Sequence, residues 1–131
     1  MTARGVAVVD ASYMIDVLLG GGELPDAMLL APAHFDAEVV SAVMRLHRQG
    51  SVQLDDTIEL LQLLAVVEVQ RVGAPPLIDR VVELRDAVAI PDAWYVALAE
   101  AMNATLFTAD LRLAAACRQQ GWCEVVTPVP K

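Results

Sequence analysis

Four acidic residues stand at the ends of separate apolar segments: Asp10 after GVAVV, Glu38 at the start of DAEVVSAVMRL, Asp92 opening DAWYVALAEAM, and Asp110 just beyond TLFTA. A lone carboxylate in such a place is ordinarily a helix cap or a solvated charge. Four together, each where an α/β sheet presents its carboxyl edge, read as an acidic cup, because ligands of open α/β sheets bind in that crevice. Mg²⁺ and Mn²⁺ prefer hard oxygen ligands and keep several waters, so a few carboxylates suffice to hold them. Such an ion lowers the pKa of a water, polarises a phosphoryl oxygen and neutralises transition-state charge. No single helix can surround an ion, so ligands from distant segments are the expected solution. The pattern points to metal-dependent chemistry with a phosphodiester as target.

The elements that must position these acids follow from apolar patterning. Val6 to Val9 is an all-apolar run, as expected of a central strand covered on both faces. ASYMIDVLL follows with Met14, Val17 and Leu18 at helical spacing, Ser12 near its N-terminus as a capping hydroxyl, and Gly20, Gly21 and Gly22 ending it. Met28 to Ala31 is a second strand, ended by Pro32. Phe35 to Gln49 is predicted helical, with Val39, Val43 and Leu46 as its apolar stripe and Glu38, Ser41, Ala42 and Arg45 on another face. The helix opened by Asp55 and Asp56 is apolar nearly all round, which predicts packing on both sides.

An edge strand near Val69 to Val72 comes next. A helix over Leu77 to Ala87 should bury Ile78, Val81, Val82 and Leu84 and expose Arg80 and Arg85. Pro91 and Asp92 start a further helix. Thr105 to Thr108 is a buried strand, Leu111 to Gln119 a helix and Glu124 to Val126 the last strand. Strands alternating with helices imply right-handed crossovers and a mostly parallel sheet within a three-layer α/β/α architecture. No repeat or linker interrupts residues 1–131, so one domain is expected.

The chain carries a net charge of -8, with 56% hydrophobic residues and a mean hydropathy of +0.50. No run approaches the roughly 18 charge-free residues of a membrane helix, and Asp10, Asp16, Glu23 and Asp26 break the N-terminal region. Neither a span nor a signal peptide is expected there, and a cytoplasmic location follows. The surplus apolar surface fits a doubly covered sheet or a partner interface. The charge has the wrong sign for passive nucleic-acid binding. Metal ions would reverse the field locally, and a dimer or a basic partner would supply more positive charge. Cys117 and Cys123 match no zinc spacing and are expected as free thiols.

Taken together, VVDAS at Asp10, AHFDAEVVSAVMRL at Glu38 and PDAWYVALAEAMNATLFTADLRL at Asp92 and Asp110 resemble the PIN-domain ribonucleases. The likeness is strongest to the VapC toxins of bacterial toxin–antitoxin pairs, and it covers nearly the whole chain. It implies a PIN fold and an endoribonuclease in which a water activated by Mg²⁺ or Mn²⁺ attacks a phosphodiester in line, leaving a 3′-hydroxyl and a 5′-phosphate. Asp10 and Asp92 become principal metal ligands, with Glu38 and Asp110 completing the cup directly or through water. Ser12 and Thr108 become orienting groups. The resemblance further implies a homodimer and a VapB-type antitoxin that blocks the cup with its C-terminal segment. The chain departs from the family pattern at AIP before Asp92, where Pro91 removes a backbone donor, and at Ser41, where PIN domains often carry Asn. Neither departure deletes a carboxylate.

Other acidic-pocket chemistries fail on residue type. Receiver domains and haloacid-dehalogenase-like phosphatases both need a lysine near the site, and the only lysine is Lys131. Ser12 has no Ser–His–Asp spacing to activate it as a nucleophile. Arg112, close behind Asp110, and Arg45, with Arg48 and His47, are candidate phosphate contacts. Against that stands the solvated end of a helix, where cations are ordinary. His34 and His47 are expected at surface or satisfied positions, and Trp94, Tyr95 and Trp122 as packing residues. The rival reading from another class is a PIN scaffold that keeps its acids but works as a protein-binding module.

Overall fold

The computed structural model describes residues 5–128. Five strands, β1 (Gly5–Val9), β2 (Ala27–Pro32), β3 (Gln70–Val72), β4 (Thr105–Phe107) and β5 (Val125–Val126), form one sheet in the order β3-β2-β1-β4-β5. Every pairing is parallel, so the expectation of a mostly parallel sheet is sharpened to an all-parallel one among the described residues. The strands that pack deepest carry Ala7, Val8, Val9, Leu29, Leu30, Ala31 and Leu106, all buried. That explains their unbroken apolar character.

The helices are α1 (Ala11–Leu18), α2 (Phe35–Arg48), α3 (Leu54–Val66), α4 (Ile78–Glu83), α5 (Ile90–Ala101) and α6 (Leu111–Gln120). Right-handed crossovers fix their sides. From β1 the chain moves one way through β2 to β3, so α1, α2 and α3 share one face, where they pack on one another. The return to β4 and on to β5 puts α4, α5 and α6 on the other face, with α5 lying across β1, β2 and β4. The direction of travel reverses at the β1–β4 pair. This is the topological switch point, where the loops at the carboxyl ends part and leave a crevice.

Three expectations need correction. Helix α3 is not covered on both sides: Thr57 and Leu64 are buried, while Leu54, Ile58, Leu63 and Val66 face solvent, Val66 at 76% exposure. Apolar composition alone cannot say whether a helix is sandwiched or carries an uncovered face. The helix expected over Leu77 to Ala87 is a 3-10 turn (Pro75–Leu77), then the short α4, then turns. Only Leu77, Val81 and Leu84 are buried there, and Ile78 and Val82 are exposed. Arg80 is not a free surface cation, since its guanidinium clasps Glu100 at 2.7 and 2.9 Å and meets Glu83 at 3.0 Å. Ser12 does not cap α1 either. Asp10 does, its carboxylate accepting from the Tyr13 N–H at 2.9 Å.

Candidate active site at the switch point

Each acid reaches the crevice by a separate route. β1 and β4 are in register with Val9 opposite Phe107, so Asp10 and Thr108 are the next residues beyond both strands. Asp110 lies two residues further on and caps α6, accepting from the Arg112 and Leu113 N–H groups at 2.9 and 3.2 Å. Glu38 sits in the first turn of α2, which follows β2, and Asp92 in the first turn of α5. Both helices run back from the carboxyl edge of the sheet, so their acidic N-terminal turns meet over it. That placement also suits negative charge, which a helix N-terminus stabilises.

Asp10 is the most deeply held, at 4% exposure. Its Oδ1 accepts from the Ser12 hydroxyl at 2.7 Å as well as from Tyr13, and its Oδ2 accepts from the Thr108 hydroxyl. Ser12 Oγ in turn accepts from the Ala109 N–H at 2.9 Å, and Thr108 Oγ1 from the Asp110 N–H at 3.0 Å. Both hydroxyl protons are therefore spent on Asp10. The 3.3 Å approach of the two hydroxyl oxygens is proximity, with no proton between them. The same two side chains join the β1–α1 turn to the β4–α6 turn. An orienting role fits them, and a nucleophilic one does not.

The electrostatics are those of crowded acids. Burial pushes the Asp10 carboxyl above its ordinary value, with its three hydrogen bonds opposing and Asp110 adding to the rise. Asp92 is pushed up to about 6, first by burial and then by the negative charges of Asp110, Asp10 and Glu38. The other three acids thus act on Asp92 across the crevice. Among the described residues no three His, Cys, Asp or Glu side chains close around a single point. The donor set nevertheless fits Mg²⁺ or Mn²⁺, which take one or two carboxylates and complete their octahedra with water. It does not fit a structural zinc site, which wants four converging N or S ligands.

Two residues belong to the site that the sequence reading left out of it. His34, expected at a surface or satisfied position, is satisfied within the site: its Nε2 lies 3.0 Å from the Pro91 carbonyl and 3.3 Å from Glu38 Oε1. Both neighbours are acceptors, so Nε2 carries the proton. The spacing was the available signal, since His34 precedes Glu38 by one helical turn. Tyr95, expected only to pack, donates its hydroxyl to Glu38 Oε1 at 2.6 Å. Burial first, and then Glu38, hold that hydroxyl far above the usual phenol range.

Of the candidate phosphate contacts, Arg45 joins the site's groove. A cavity of about 390 Å³ runs from Ser12, His34 and Glu38 past Ser41 to Arg45. Arg48 and Arg112 are exposed, and His47 is tied to the Val52 carbonyl at 2.9 Å. A larger cavity of about 1060 Å³, between Leu24, Met28, Val67 and Arg71, flanks the beginnings of β2 and β3. It is lined by a single acid, Glu68, and by none of the four at the switch point, so the smaller groove, which holds Glu38, is the one tied to the chemistry.

A family model described as the PIN domain matches residues 7–119. The chain belongs to the PIN-domain family. Within it, this PIN domain is 39% identical over 117 residues to Ribonuclease VapC3 of Mycobacterium tuberculosis, covering 83% of this chain and 85% of that one. It is 37% identical over 110 residues to Ribonuclease VapC9 of the same organism, covering 81% and 87%. Both degrees of likeness put it with the VapC ribonucleases. Its fold is also that of PAE2754 from Pyrobaculum aerophilum, with a TM-score of 0.70 at 19% identity over 93% of this chain and 84% of that one. VapBC2 from Rickettsia felis, bound to a DNA fragment from its promoter, superposes with a TM-score of 0.68 at 12% identity over 95% and 99%. The PIN fold expected from the sequence is borne out.

Proposed function

We propose that this VapC-family PIN domain is a metal-dependent endoribonuclease, the toxin of a type II toxin–antitoxin pair. The observation that carries the reading is the meeting of Asp10, Glu38, Asp92 and Asp110 at the switch point, where burial first and then the other three acids push Asp92 up to about 6. Mutually repelling carboxylates are costly to gather, and a cation relieves the cost. Asp10 and Asp92 are the principal ligands, with Glu38 and Asp110 acting directly or through water. Mg²⁺ or Mn²⁺ held there supplies Lewis-acid stabilisation of a phosphoryl oxygen and lowers the pKa of water. Ser12 and Thr108 keep Asp10 in place, and their hydrogen bonds favour its charged form against the effect of burial. Arg45, at the far end of the groove, offers a cation to the RNA backbone, and exposed Arg112 offers another beside Asp110.

The partner reading draws on the likeness to VapBC2 and on the uncovered apolar face of α3. An antitoxin of the VapB type would cover Leu54, Ile58, Leu63 and Val66 with apolar residues and bring basic ones to the acidic site. A homodimer would cover further apolar surface, and a cytoplasmic setting suits an RNA substrate. Among the described residues no helix is long and apolar enough to cross a membrane. A pure binding scaffold would have no use for four crowded acids.

The deciding experiment incubates antitoxin-free protein with structured RNA. Cleavage should require Mg²⁺ or Mn²⁺ and stop with EDTA. Asp10→Ala, Glu38→Ala, Asp92→Ala and Asp110→Ala should each lose orders of magnitude in rate. Wild-type activity in Asp92→Ala would move the site elsewhere.

A further inference from the structure

We propose that Tyr95 is a positioning residue for Glu38, so that α5 supplies both an acid of the site, Asp92, and the brace that fixes a second acid on α2. The inference rests on the acidic-site reading above. Tyr95 lies one turn beyond Asp92 on the same helix, yet it faces inward and is only 1% exposed. A buried tyrosine hydroxyl needs a partner. Here the partner comes from 57 residues away, at 2.6 Å. His34 Nε2 approaches the same Oε1, and its ring meets the Tyr95 ring edge-on at 5.2 Å between centroids.

The consequence is an asymmetric carboxylate. Oε1 is held from the protein side by a phenol and faced by an imidazole N–H, whereas Oε2 accepts no hydrogen bond from the described residues. A free glutamate samples many rotamers and loses that freedom when it binds an ion. A glutamate tethered through one oxygen has lost it already, and its other oxygen is left for an ion or an ion's water. Outer partners of this kind set both orientation and affinity at metal sites. The bond also makes the spacing between the first turns of α2 and α5 a property of two side chains, so that Glu38 and Asp92 cannot drift apart independently.

The test is calorimetric titration of the full chain with Mn²⁺, using wild type, Tyr95→Phe, Glu38→Ala, the double variant and Asp92→Asn. Tyr95→Phe keeps the ring and removes only the hydroxyl. It should weaken Mn²⁺ binding about 10-fold and should add nothing in the Glu38→Ala background. A purely structural tyrosine would lower the melting temperature in EDTA and leave the Mn²⁺ affinity alone. Wild-type affinity in folded Tyr95→Phe overturns the proposal, as does an equal loss with Glu38 already removed. If wild type binds no Mn²⁺, or Asp92→Asn binds it as well as wild type, the acidic-site reading falls and the brace with it. Should Tyr95→Phe fail to fold, Tyr95→Leu replaces it in the same cycle: a loss of affinity that disappears in the Glu38→Ala background supports the brace, and one that persists there, or no loss at all, overturns it.

Discussion

The Thr108 hydroxyl, one residue past β4, donates to Asp10 Oδ2, one residue past β1, while its oxygen accepts the Asp110 N–H at 3.0 Å. One side chain thus joins two acids across the point where the sheet reverses its winding. Thr108→Val keeps the shape and removes both bonds. Asp10 would then be a nearly buried carboxylate short of a donor, a loss worth about 1–3 kcal/mol. The variant should melt several degrees lower, and its activity should fall more than stability alone explains. Thr108→Ser should recover most of both. Thermal denaturation in EDTA, beside cleavage rates at a temperature where each variant is fully folded, checks this.

Ser12→Ala should behave more mildly. Its hydroxyl is one of three donors to Asp10, and its backbone partner, the Ala109 N–H, is only part-buried. Activity should drop, though by less than in Asp10→Ala, if Ser12 orients Asp10 as proposed without itself holding the ion. A Ser12→Ala rate as low as that of Asp10→Ala would assign the hydroxyl a direct part in the reaction.

The sequence made the carboxyl-edge acids legible because each follows or opens an apolar run of recognisable period. The pairing of β1 with β4 could be anticipated only as a parallel sheet, since strand order is set by contacts far apart in the chain. Tyr95 and His34 stayed hidden for related reasons. Tyr95 reads as core because its ring is core, and only the third dimension shows where its hydroxyl ends. The uncovered face of α3 was misjudged because burial depends on what lies opposite, which a helix's own composition does not record.

Burial, with the neighbouring acids adding to it, gives Asp92 a pH signature in metal-free protein. The folded-state pKa of Asp92, about 6, lies above the ordinary value of 3.8, so the folded protein retains a proton that the unfolded chain gives up. The stability tied to this group is present in full below pH 3.8 and is lost as pH rises through about 6. An amide at this position does not titrate and would carry no such loss. In EDTA, Asp92→Asn should therefore melt above wild type at pH 7.5, by a margin on the order of 1 kcal/mol once solvent screening is allowed for. The margin should vanish near pH 4. Asp36 works in the opposite sense, because its pairing with Arg71 lowers its pKa and that stability is lost toward acid. It does so equally in both proteins, so their difference isolates Asp92. A margin independent of pH would mean that neither burial nor the other acids raise Asp92 above its ordinary value.

Metal should invert that order. A cation that binds the folded state alone raises its melting temperature with concentration. Wild type should gain and Asp92→Asn should gain little, so their melting curves cross as metal is added at pH 7.5. Asp10→Asn should likewise lose most of the shift. No shift in wild type at millimolar metal would remove the cation from the account of this site.

Arg45 tests how the groove meets RNA. It follows Glu38 by seven residues on α2, two turns along one face and roughly 10 Å at the helical rise. It is exposed, and together with Ser12, Glu38 and Ser41 it lines the cavity of about 390 Å³. A protein of net charge -8 repels RNA at long range, so a single cation in the groove that holds Glu38 should matter more than it would on a basic surface. Arg45→Ala should raise KM severalfold with kcat nearly unchanged, because a phosphate away from the scissile bond is bound equally in ground and transition states. The salt dependence of kcat/KM should become shallower at the same time. Arg48→Ala, nearly one turn further along α2 and outside the groove, is the control. A fall in kcat at constant KM for Arg45→Ala would place that guanidinium at the reacting phosphate instead.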